Sequence, residues 1–161
     1  MVVDPNWLRP SNPQQNAEGG KPFTVVLMTI YSVENAGIRY ISSALQRAGF
    51  RTYIIFLRDW IHNRLEMPSE KEIQMALEII KDKQADMVGL GFMSSLLPMA
   101  KEVTRRIKDQ FPTTPVVWGG IHPTSSPEDC IPYVDYVCED IRLLKKQYLL
   151  FSKFGCVDNL L

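Results

Sequence analysis

Val116-Val117-Trp118-Gly119-Gly120-Ile121-His122-Pro123-Thr124 is the stretch that decides how the rest of the chain is read. An apolar run stops at paired glycines, passes into a polar loop and reaches a proline that marks a helix start. In an open α/β sheet, a buried parallel strand delivers its backbone to a ligand crevice in this way. Paired glycines remove side chains where something flat or bulky approaches the main chain. Glycines alone fit a strand that ends in a tight turn equally well. The ligand reading gains from two other strand ends that carry small polar loops of the same kind.

Upstream, strands and helices alternate. Residues 23–30 are expected to form the first strand, with Val25, Val26, Leu27 and Ile30 in the near-continuous apolar run of a strand covered on both faces. A polar loop over 31–37 follows. Ile38, Ile41, Leu45 and Ala48 then recur at helical spacing, and Gly49 is the stop. Residues 51–57 read as the second strand, and 58–68, with Trp60 and His62, as a long connection (turn or short helix) over the sheet edge. Ser69-Glu70-Lys71-Glu72 is a capping box opening a helix whose buried stripe is Ile73, Ala76, Leu77 and Ile80. The third strand, 86–92, ends in Met93-Ser94-Ser95-Leu96. Pro98 sits where a first-turn proline loses no hydrogen bond, and Ala100, Val103 and Ile107 face inward behind it. The fourth strand is 115–118. Ser126-Pro127-Glu128-Asp129 starts a short helix with acids placed to suit its dipole. Residues 134–138 are the fifth strand, and a helix over 141–154 closes the chain.

This alternation indicates an α/β fold: a doubly wound five-stranded parallel sheet, flavodoxin-like (Rossmann-like), with strand order 2-1-3-4-5. Its ligand crevice lies at the carboxyl ends of strands one and three. The loops 32–37, 93–96 and 119–124 therefore converge on one side. Residues 1–21, rich in Asn, Gln, Pro and Gly, are expected to be a flexible lead-in. The domain proper is 22–139, with a C-terminal helix and tail over 140–161.

Composition narrows the classes. In 161 residues, 45% hydrophobic content suffices for one core. Eighteen basic residues are balanced by eighteen acidic ones, so no basic footprint for nucleic acid exists. Cys130, Cys138 and Cys156 are odd in number and far apart. They give neither zinc spacing nor a disulfide framework, and set the expectation of a cytoplasmic protein. Asp4, Pro5 and Pro10 stand where a secretory signal needs a basic start and an apolar run, and no stretch reaches membrane-spanning length.

The crevice can be tested against what each ligand's chemistry needs. A nucleoside triphosphate needs a glycine-rich cradle with Lys and Ser/Thr, which is missing. A dinucleotide needs G-x-G-x-x-G between the first strand and its helix. Gly89-Leu90-Gly91 lies inside the third strand instead and reads as close sheet–helix packing. Flavin mononucleotide needs phosphate donors after the first strand, where Ser32 offers a hydroxyl but Glu34 brings a negative charge. A receiver domain needs an aspartate ending the third strand, where Met93 and Ser94 stand. A large, mostly neutral ligand with a long tail fits better.

Val116 to Thr124, then Pro127-Glu128 and Asp135-Tyr136-Val137-Cys138-Glu139, carry a resemblance, with weaker support from Asp86-Met87-Val88-Gly89-Leu90-Gly91 and from residues 37–49. Over residues 23–139 the chain resembles the cobalamin-binding domain at the N-terminus of many B12-dependent radical SAM proteins. That family's pattern is Asp-x-His-x-x-Gly after strand one, Ser-x-Leu after strand three and Gly-Gly after strand four. Ser94-Ser95-Leu96 and Gly119-Gly120 match the last two. Val33-Glu34-Asn35-Ala36-Gly37 has no histidine, and only Gly37 carries over from the first. The resemblance implies cobalamin, a metal-bearing cofactor, bound with its dimethylbenzimidazole tail drawn away from cobalt and lodged where Gly119 and Gly120 leave the backbone bare. It also implies that this loop supplies no lower imidazole.

The cofactor-contacting set implied is Ser32, Glu34, Asn35, Gly37, Met93, Ser94, Ser95, Leu96, Gly119, Gly120, Ile121, His122, Pro123 and Thr124, with no catalytic residue and no metal ligand. Within it, His122 is expected to be a hydrogen-bond anchor. Ser94 and Ser95 either meet the tail or cap the helix near Pro98, and Glu34 and Asn35 either meet ligand amides or face solvent. Trp118 is expected in the core. No C-x-x-x-C-x-x-C motif occurs, so no iron–sulfur cluster is expected in this chain and a radical SAM reaction needs a partner domain or protein. The alternative is a cofactor-free α/β interaction domain that kept the scaffold.

Overall fold

The computed structural model describes residues 22–31, 35–57 and 66–138. The expected lead-in, the connection around Trp60 and His62, the closing helix, and Ser32 and Glu34 of the first loop lie outside the described residues.

The elements run β1 (Thr24–Thr29), α1 (Ala36–Arg47), β2 (Arg51–Phe56), α2 (Glu70–Asp82), β3 (Met87–Gly91), α3 (Leu97–Gln110) after a 3-10 turn at Ser94–Leu96, β4 (Val116–Gly119), α4 (Ile121–Ser125), a 3-10 turn at Pro127–Asp129, and β5 (Tyr136–Val137). The sheet order is β2-β1-β3-β4-β5, and each neighbouring pair is parallel. This is the doubly wound arrangement that the alternating pattern predicts.

Local chemistry sets the ends. The Asn35 side chain accepts from the Ile38 amide at 3.1 Å and so caps α1, while Gly49 leaves the helix at φ 90°. The capping box of α2 is complete: Ser69 N donates to Glu72 Oε2 at 2.6 Å and Glu72 N to Ser69 Oγ at 3.3 Å. Ile73, Ala76, Leu77 and Ile80 are its buried stripe, as the spacing requires. One expectation fails. The stretch after β4 is not a loop but the short helix α4, with Gly120 as its N-cap residue. Five residues are too few to show an apolar period, and no side chain caps them.

The central strands divide their residues by face, since alternate side chains point to opposite sides. Val26 and Met28 of β1, Val88 and Leu90 of β3, and Val116 and Trp118 of β4 form one core with Ile73, Leu77 and Ile80 of α2 and Val103 and Ile107 of α3. Trp118 is fully buried there, as expected. Its indole Nε1 donates to Thr104 Oγ1 at 2.8 Å, and Phe92 meets it edge-on at 4.9 Å. On the opposite face Val25 and Leu27 pack with Ile38 and Leu45 of α1 and with Phe50.

The same device closes the sheet where β1 and β4 begin. Asp86, just before β3, accepts from Thr24 N at 2.7 Å, and its own amide donates to Thr24 O at 2.9 Å. Asp135, just before β5, accepts from Val116 N at 2.8 Å, and its amide donates to Val116 O at 3.1 Å. Each aspartate thus satisfies the first amide of the neighbouring strand, on residues that are fully buried. Burial pushes the Asp135 carboxyl up, but the hydrogen bonds from Lys108 and the Val116 amide outweigh it and hold the group below its ordinary 3.8. A carboxyl depressed by folding adds stability above its unfolded pKa and loses it as pH falls through the folded value. Asp135→Ala is therefore expected to lower stability near neutral pH by about 1–3 kcal/mol, the range for an orphaned buried amide. Part of that deficit, the charge-dependent share, shrinks in acid. Urea melts of both proteins near neutrality and below the ordinary 3.8 check this. An equal deficit at both pH values rules out the charge-dependent part.

Candidate functional site

On the α1 side of the sheet the central strands present Val25, Leu27 and Thr29 from β1, Met87, Gly89 and Gly91 from β3, and Val117 and Gly119 from β4. Register places Leu27 beside Gly89, Thr29 beside Gly91 and Gly91 beside Gly119. Gly91 and Gly119 leave the sheet bare at adjoining positions, Leu27 leans over Gly89, and a cavity of about 520 Å³ lies over this face. Ile38, Ile41 and Leu45 of α1 contribute to its wall. From Val25 to Thr29 the strand rises roughly 13 Å at 3.3 Å per residue. The volume falls within the ~300–1,000 Å³ typical of small-molecule sites. At the carboxyl ends of the strands Met93 and Ile121 stand 47% and 68% exposed, marking the mouth.

The glycines do different jobs. A β-carbon at position 91 would meet nothing nearer than Gly119 O at 4.0 Å, and one at 119 would lie 3.5 Å from Cys138 Cβ. Bare backbone at 91 and 119 therefore serves the open space. Gly120 is different: its φ is 97°, and a β-carbon there would sit 2.8 Å from Phe92 O and 2.9 Å from Phe92 N. Its missing side chain lets the chain turn against the end of β3, although the residue also lines the cavity. The expectation that 119 and 120 together clear the slot is thus corrected. Clearance comes from Gly91 and Gly119, and the turn from Gly120.

Of the residues singled out in the sequence, Asn35, Gly37, Met93, Leu96, Gly119, Gly120, Ile121 and Thr124 line this cavity. Ser94, Ser95, His122 and Pro123 do not. Neither serine caps the following helix by its side chain. Ser94 Oγ instead meets His122 Nδ1 at 3.1 Å, which makes His122 the anchor expected of it. His122 is buried with its ring 5.8 Å from that of Phe92, and its Nε2 has no partner. Pro123 is buried beside it in α4. The reading missed Thr29, Gly89, Gly91, Val117 and Cys138, all cavity-lining. Gly89 and Gly91 were legible: two glycines two apart in a strand share a face. The expectation of close packing is corrected at Gly91, which faces open space, whereas Gly89 lies tight against Leu27, where a β-carbon would come within 2.9 Å of Leu27 Cδ2.

No charged side chain lines the cavity among the described residues. Its polar groups lie near the mouth and largely engage one another. Thr29 Oγ1 donates to Tyr31 O at 2.9 Å and accepts from Asn35 Nδ2 at 3.4 Å. The Tyr31 hydroxyl donates to Glu66 O at 2.9 Å and accepts from Glu66 N at 3.1 Å. Among the described residues no cluster of three or more His, Cys, Asp or Glu side chains could hold a metal ion, and no helix is long and apolar enough to cross a membrane.

A long, uncharged slot of this kind suits a flat apolar group on a tether. The B12 binding domain family model matches residues 24–140, most of the chain. The chain belongs to the B12-binding domain family. Its cofactor is accordingly cobalamin, and the uncharged cavity floored by Gly91 and Gly119 is compatible with so large and mostly neutral a group. Among solved structures, this B12-binding domain is similar to a novel cobalamin-binding protein from Desulfitobacterium hafniense DCB-2. The TM-score is 0.56 at 15% sequence identity, over 74% of this chain and 54% of that one. The likeness is one of fold, and the chain spans about half the length of that protein. No curated protein sequence matches the chain. A cofactor-free scaffold is not favoured by these matches.

Proposed function

We propose that this B12-binding domain holds cobalamin with its dimethylbenzimidazole tail displaced from cobalt and laid in the slot, and that it presents the cofactor's upper face to a radical SAM partner. The observation that carries the reading is the open floor left by Gly91 and Gly119. Leu27, Ile38 and Ile41 are positioned to hold the base by dispersion. Thr29, Asn35 and Thr124 are the polar groups available to the ribose and phosphate, and Met93 and Ile121 offer apolar surface to the macrocycle. When bound, the corrin supplies cobalt-centred group-transfer or radical chemistry.

The lower face of cobalt receives no imidazole from the loop after β1. The loop after β1 has no histidine in its sequence, and His122 is buried, tied to Ser94 and outside the cavity lining. Withholding an axial nitrogen changes electron density at the metal and is the protein's lever on the cofactor. The radical SAM part of the reading rests on the resemblance carried by Gly119 to Thr124 and by Asp135-Tyr136-Val137.

Incubation with hydroxocobalamin or methylcobalamin, followed by gel filtration and absorbance, tests the proposal. The expected result is retained corrin with the spectrum of a displaced base. Retained corrin with its base still on cobalt refutes tail displacement, and no retained corrin refutes the reading altogether.

A further inference from the structure

We infer that the slot selects among corrinoids by the lower base, accepting an apolar benzimidazole and discriminating against a purine. This rests on the tail-in-slot reading above and adds a specificity to it. The walls away from the mouth are Val25, Leu27, Ile41, Leu45, Met87 and Val117, all apolar. Backbone amides and carbonyls of the floor are spent on the parallel pairing of β1, β3 and β4, and those of α1 within the helix. Among the described residues the one buried side-chain polar atom lacking a partner is His122 Nε2, and His122 does not line the slot. Among the described residues, no side chain in its deep half therefore waits for a donor or an acceptor.

Dimethylbenzimidazole carries only methyl groups on its distal ring and loses little on entering such a place. Adenine brings an exocyclic amine and ring nitrogens that leave water unpaired. Each such group is expected to weaken binding by about tenfold or more. The polar contacts that both cofactors share, at ribose and phosphate, fall near Thr29 and Asn35 and do not discriminate.

The test uses the unaltered protein and a set of corrinoids, titrated by equilibrium dialysis with absorbance detection. The set is cobalamin, its analogue with adenine as the lower base, and cobinamide, which has no nucleotide tail. All are used in the dicyano form, in which the base is already off cobalt, so that differences in cobalt coordination drop out. Cobalamin binding about tenfold or more tighter than the adenine analogue supports the inference. Equal affinities, or tighter binding of the adenine analogue, overturn the inference but leave the tail-in-slot reading standing. Cobinamide binding as tightly as cobalamin removes the tail from the slot, and the inference falls with that reading. The same holds if none of the three binds.

Discussion

Gly91→Leu is expected to abolish corrinoid retention while leaving the fold as stable as before or slightly more so. A β-carbon at 91 has 4.0 Å to its nearest neighbour, the carbonyl oxygen of Gly119, so the backbone accepts it without rearrangement. Glycine inside a strand is destabilising by roughly 0.5–1 kcal/mol relative to alanine, and the substitution removes that handicap. The rest of the leucine side chain then occupies the neck between β1, β3 and β4, where a tail has to pass. Forcing a ligand into a filled space costs about 1–3 kcal/mol or more, which corresponds to affinity reduced from about fivefold to beyond roughly a hundredfold. Gel filtration with hydroxocobalamin and a thermal melt read both halves. Wild-type affinity in a well-folded Gly91→Leu protein means that the tail does not pass over β3.

Gly120→Leu should behave in the opposite way. Its φ of 97° lies in the region L side chains avoid, and the added carbon would sit 2.8 Å from Phe92 O and 2.9 Å from Phe92 N. Both are main-chain atoms at the end of β3, and Phe92 N is already held by Gly119 O at 3.2 Å. The neighbour therefore cannot swing aside. Strain of about 1–3 kcal/mol for the backbone conformation, added to displacement of the strand end, gives an expected loss of roughly 3 kcal/mol or more. In a domain of this size that lowers the melting temperature by on the order of 10 °C. A melt that superimposes on wild type disproves the role given to Gly120. Loss of corrinoid binding at 120 is thus uninformative about occlusion, and position 91 is the place to test it.

The two substitutions also show what could be read from sequence. The paired glycines of Val116 to Thr124 mark the right edge of the sheet, because an apolar run ending in bare backbone has few physical explanations. Which glycine clears space and which turns the chain depends on φ and on how near Phe92 lies, and neither is written in local pattern. Gly89 and Gly91 carry a legible signal in their spacing of two, which puts both on one face, but that Leu27 covers the first and open space the second depends on tertiary packing. Asp86 and Asp135 belong to the stretches that carry the family resemblance. Their work, sealing Thr24 and Val116 across a strand boundary, emerges only once the parallel register is known. Helix α4 was illegible for want of length. The longer helices announced themselves through caps and stripes that agree with their tertiary packing.

Because β1 alternates its partners residue by residue, Val25, Leu27 and Thr29 line the cavity while Val26 and Met28 pack on the tryptophan side. Val25 and Leu27 also pack with Ile38, Leu45 and Phe50, so a change at either one alters the groove and the stability of that layer together. Val26 and Met28 lie on the other side of the same strand, and changes there reach the tryptophan core without entering the groove.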